Sequence, residues 1–172
     1  MRSALYASGM LPLVRHIDVF ADYHQFYVCD VDFKTETSIL WDDVTSEQML
    51  AVGPDLIAVG TARNMTVPVQ LDVLPSEPPN DLYAWDQVIT CSLMIPTGTL
   101  ILFGCTDDPS EAERLYIGPG SYAVRVSYAR LTDLSDNGLE GDDHYRVQLW
   151  PGPPAPVNVL KRRPEGARRM RS

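Results

Sequence analysis

The sequence predicts a mainly β fold, an antiparallel β-sandwich with one short helix, and three observations carry that expectation. Apolar and polar residues alternate in several separate runs. These runs are short, with Pro, Gly and Asp between them as turn formers. Only one segment has the start and stop chemistry of a helix.

In chain order, strands are expected over 15–20 and 23–31. Within the second, His24, Phe26 and Val28 would share one face and pack together as core. The helix follows in 41–54: acids at its start complement the helix dipole, Thr45 with Gln48 fits a capping box, and Gly53-Pro54 supplies the stop. About two turns are expected. The next strand is 56–63. After it Met65, Val67, Val69, Leu71 and Val73 alternate with Thr66, Gln70 and Asp72, and Pro68, lacking a ladder donor, suggests an edge strand or a bulge.

Residues 74–86, with Pro75, Pro78 and Pro79, read as a surface loop. Strands over 87–95 and 99–103 flank Pro96-Thr97-Gly98, which suits a hairpin. A short strand over 114–117 leads through Gly118-Pro119-Gly120 to the clear alternation of Tyr122, Val124, Val126 and Tyr128. An acidic connection, 132–143, precedes the alternating Tyr145, Val147 and Leu149. The prolines from Pro151 to Pro156 cannot support a packed ladder, so the body should end close to Leu160. At 172 residues the chain suits one domain of usual size. The expected division is a flexible lead-in over 1–13, a single sandwich over 14–160 and a disordered basic tail over 161–172.

Charge divides along the same boundary. Between residues 18 and 160 there are 22 Asp and Glu against 6 Lys and Arg, a net of −16, whereas the last twelve residues carry +5. A body this negative repels nucleic acid, whose affinity for proteins comes from cations that displace condensed counterions. The same field speeds encounter with a basic protein, such as one whose own groove holds DNA. The tail could contact nucleic acid or anionic lipid, or fold back over the acidic body and mask it.

Apolar runs fall short of the roughly 20 residues needed to cross a bilayer. Cys29, Cys91 and Cys105 lack CxxC spacing, and an odd count suits neither a disulfide framework nor a zinc site. Buried thiols in a reducing cytoplasm are expected, with any membrane association made at the periphery through a partner. His16, His24 and His144 are the only imidazoles, and no nucleophile elbow, Walker A or G-x-G-x-x-G sequence accompanies them. Asp133, Ser135, Asn137 and Gly138 match the opening of a calcium loop, but its twelfth position is His144 instead of a bidentate Glu. Catalytic residues, metal ligands and cofactors are therefore not expected.

Tyr23-His24-Gln25-Phe26-Tyr27-Val28, followed by Trp41-Asp42-Asp43, a short helix and the strand over 55–63, resembles the competence protein J family. The run from Gly120 to Val126 is similar to that family's late strand. The resemblance covers roughly the first half of the body. It implies a small inhibitor or immunity-like protein, since the family's characterised member binds and inhibits the nuclease that cuts incoming DNA during natural transformation. Joined to the charge argument, it gives an expected contact surface for a basic bacterial nuclease: the acids Asp42, Asp43, Asp107, Asp108, Asp142 and Asp143, with Trp41 and Tyr23 as aromatic anchors. The alternative is a calcium- or carbohydrate-binding β-sandwich that uses the same acids and exposed aromatics.

Overall fold

The structure, a computed structural model, describes residues 12–164. Among these residues eleven strands form two sheets: β1 (Leu13–Phe20), β2 (Gln25–Asp30), β3 (Leu50–Val52), β4 (Leu56–Gly60), β5 (Thr66–Val73), β6 (Gln87–Ile95), β7 (Thr99–Gly104), β8 (Leu115–Tyr116), β9 (Gly120–Ala129), β10 (His144–Pro151) and β11 (Asn158–Lys161). The six-stranded sheet has the order β1-β5-β10-β9-β6-β11, and the five-stranded sheet β3-β4-β2-β7-β8. The pairing is antiparallel except between β5 and β10, which run parallel. Among the described residues no helix is long and apolar enough to cross a membrane.

Alternation places the core between the sheets. Val67, Val69, Leu71, Val124, Val126, Val147 and Leu149 from the larger sheet meet Phe26, Val28, Ile57, Val59 and Leu100 from the smaller one, all nearly or completely buried. Burying each such side chain contributes about 1.5–3 kcal/mol. Tyr145 ties the layers together: its ring packs edge-on to Phe26 and Tyr128, and its hydroxyl accepts the backbone N–H of Ala62 at 2.8 Å. A second cluster lies on the outer face of the smaller sheet, where Tyr27, Cys29, Ala58, Ile101 and Phe103 pack under Val31, Phe33, Leu40 and Trp41. Both faces of β2 are thus covered.

Several local expectations shift. β2 begins at Gln25, because Asp22–His24 form a 3-10 turn in which Tyr23 and His24 take positive φ. His24 therefore leaves the strand, and its Nδ1 lies 3.1 Å from the carbonyl of Thr61. The helix, α1 (Asp43–Gln48), has six residues, close to the two turns expected, but it is displaced along the chain. Its capping box sits three residues earlier than expected, Asp42 with Thr45, and it stops at the left-handed Met49 rather than at Gly53. The buried pairing of Leu50–Val52 with β4 wins those residues for the sheet. Pro68 lies in an internal strand, not an edge; its missing donor is tolerated because pairing of β5 to β10 begins one residue later, at Val69. Ordered pairing also continues past Leu160: Lys161 closes β11 and its Nζ donates to Leu82, while Arg163 donates to Gln87 and pairs with Glu47. The expected disorder of the tail falls, for 165–172, outside the described residues, as does most of the expected lead-in.

Candidate functional site

Strand directions decide which connections meet. β1, β4, β7 and β9 all finish at the same end of the sandwich where β2, β3, β5, β6 and β10 begin. Contacts between the sheets fix that common end. The Tyr128 hydroxyl donates to Met49, and the Gln87 amide donates to Gln48. The connections 21–24, 41–49, 61–65, 105–114 and 130–143 therefore converge, and every residue of the expected contact surface belongs to one of them.

Tyr23 is 66% exposed on the first of these connections. Beside it, the Cys105 thiol donates to the carbonyl of Asp22 at 3.2 Å, which joins the 21–24 turn to the loop after β7. In that loop Asp107 and Asp108 are both exposed and locally braced. Asp107 accepts the N–H of Gly104 at 3.0 Å, and Asp108 accepts both the N–H and the hydroxyl of Ser110, bonds that hold its carboxyl below the usual range. Gly104 permits this fold-back, since a Cβ there would lie 2.1 Å from the carbonyl oxygen of Phe20.

Asp42 caps α1 and Asp43 opens it, both exposed. Thr45 donates to Asp42 from its backbone and hydroxyl, lowering the Asp42 carboxyl from its ordinary value. Trp41 is only half-buried: it packs on the outer face of the smaller sheet and donates through Nε1 to Gln25 at 2.8 Å. Asp142 is exposed and stands with Asp133 beside Arg130.

Asp143 departs from the expected surface. It is completely buried, accepting Arg63 Nε at 2.5 Å and the Tyr145 hydroxyl at 2.6 Å, so its charge is spent inside the fold. Its parity shows why: Asp143, Tyr145, Val147 and Leu149 alternate onto the same core-facing side. Exposed acids at this end that the expected surface leaves out include Asp18, Glu47 and Glu111. For Asp18 the signal was available, because it alternates with the inward Ile17 and Val19 of β1.

The end is thus strongly acidic, and three of its cations are engaged. Arg63 holds Asp143, Arg130 holds Asp133, and Arg163 holds Glu47. His144 stacks edge-on against Trp85, and Nδ1 lies 3.0 Å from the carbonyl of Asp142. Among the described residues no group of three His, Cys, Asp or Glu side chains is arranged to hold a metal ion. Burial raises all three thiols, Cys91 to about 12. What the arrangement offers chemically is ionised carboxylates with fixed positions beside partly exposed aromatics.

No family model matches the sequence, and no curated protein does. Among solved structures the chain is similar to ComJ, inhibitor of the DNA degrading activity of NucA, from Bacillus subtilis. The TM-score is 0.60 at 16% identity, over 83% of this chain and 98% of ComJ. It is also similar to the product of crocagin biosynthetic gene J, with a TM-score of 0.55 at 18% identity, over 84% of this chain and 100% of that one. At such identities the likeness is one of architecture, and the chain has the fold of ComJ.

Proposed function

We propose that this protein works by binding, as an inhibitor or immunity-like protein whose acidic end docks on a basic protein partner and blocks it, the partner being a bacterial nuclease. The observation that carries the reading is the convergence of separate connections on one end, three of which, 41–49, 105–114 and 130–143, bring exposed acids. Carboxylates held in fixed positions can occupy the places of phosphates in a groove lined with cations. The same charge disfavours contact of the body with nucleic acid itself. The fold shared with a nuclease inhibitor agrees with this reading.

The test is to mix the purified protein with a nuclease that cuts incoming DNA during natural transformation. A complex on gel filtration and slower cleavage of labelled DNA are expected, both weakening as salt is raised. If neither complex nor inhibition occurs at low salt, the reading fails for that nuclease.

A further inference from the structure

We propose that the groove along the free edge of β1 seats an extended basic segment of the protein partner, which adds to the sheet as a further strand. This rests on the proposed binding of a basic partner and says where that partner is gripped. β1 is the terminal strand of the six-stranded sheet, so alternate backbone N–H and C=O groups point away from it, a standing template for another strand. Beside that edge, between β1 and the loop after β7, runs a cleft of about 320 Å³.

The floor of the cleft is apolar, built by Val19, Leu102 and Phe103, and its rim is acidic: Asp18, Asp107, Asp108 and Glu111. No cation lines it. Arg15, farther back along β1, is engaged by Glu113 at 3.0 Å. Such a lining selects its occupant. The methylene stems of Lys and Arg can lie on the floor while their charged heads reach the rim carboxylates. A second copy of this chain would bring its own acidic edge and be repelled, which suits a β1 edge that carries no lysine to blunt pairing. The groove is also preorganised, because Gly104 and Ser110 brace two of the four rim acids before any partner arrives.

The probe is a fluorescein-labelled, end-capped peptide of alternating arginine and valine, followed by fluorescence polarisation with the full chain at low salt. A glutamate–valine peptide is the control. The arginine peptide is expected to bind and the control not. The double variant Asp18→Asn/Glu111→Gln is expected to lose affinity by at least about tenfold, as loss of close charge pairs does. Both side chains are exposed, and an unchanged melting curve verifies that the variant is folded. A second pair at the same end but outside the groove, Asp136→Asn/Glu140→Gln, should bind nearly as the unaltered protein does.

Equal losses in the two pairs, or none in the groove pair, would overturn the proposal. The nuclease arm separates it from the broader reading. If a nuclease complex forms and the groove pair leaves it unchanged, the groove is refuted and the inhibitor reading stands. If no nuclease binds while the groove pair still weakens the peptide, the groove stands and the inhibitor reading falls.

Discussion

Asp142 and Asp143 are neighbours in the chain and differ in almost every physical respect. The first is 71% exposed at its side chain and the second is enclosed, joined to Arg63 and to the hydroxyl of Tyr145. Removing one partner of a buried pair leaves the other charge uncompensated, so Asp143→Ala should destabilise the fold by about 3–5 kcal/mol in urea denaturation. Asp142→Ala should leave the midpoint nearly unchanged. Asp81 supplies a pH dependence. The Arg146 guanidinium, hydrogen-bonded to both of its oxygens at 2.8 Å, holds its carboxyl below the ordinary range. A depressed carboxyl stabilises the fold above its unfolded value of about 3.9 and loses that contribution as pH falls through the folded value. The acid limb of a urea-midpoint profile between pH 6 and 2 should therefore be shallower in Asp81→Asn. Half of this was legible at the residue scale: period-two parity assigns Asp143 to the core face, but nothing near Asp81 in the chain identifies Arg146, 65 residues on, as its partner.

Among the elements, the loop after β7 depends on a single close approach. The backbones of β1 and β7 meet where Gly104 faces the Phe20 carbonyl, and an added Cβ would also lie 2.9 Å from the Asp107 carboxylate. Gly104→Ala should thus cost about 1–3 kcal/mol, as overpacking does. It should also displace Asp107 and Asp108, so that thermal stability and binding of the basic partner fall together. Turn and strand signals were readable for most elements because each is a local property of alternation, Gly and Pro. The helix was placed too late in the chain for the opposite reason. Its sequence allowed continuation to Gly53, but Leu50 and Ala51 gain complete burial by pairing with β4, a contact that no local propensity contains. Pro68 was misplaced in the same way, since the neighbour that decides its position, β10, lies more than 70 residues away.

For the molecule as a whole, the acids of one end act together. Binding of a basic partner should be salt-sensitive, and the combined variant Asp42→Asn/Asp43→Asn/Asp107→Asn/Asp108→Asn should slow association strongly. A variant with acids neutralised elsewhere, Asp32→Asn/Glu77→Gln, should lower it little; association rates from stopped-flow mixing over a salt series distinguish the two. Asp32 follows the far end of β2, and Glu77 lies over the larger sheet against Arg125. The C-terminal segment leaves β11 at the acidic end, with Arg163 already on Glu47.

The sequence by itself determined the strand-rich class, the turns, the separation of an acidic body from a basic tail, and the resemblance now matched by a shared fold. These follow from period-two patterning, backbone chemistry and charge, all of which are local or additive. Only the tertiary structure decided that Tyr23, Asp42, Asp107 and Asp142 meet at one end, that Asp143 does not face outward with them, and that β1 lies at an edge beside an acid-rimmed groove. The reason is that strand order and direction are set by which faces bury one another across long stretches of chain, and alternation records only that a residue faces inward, not what it will face.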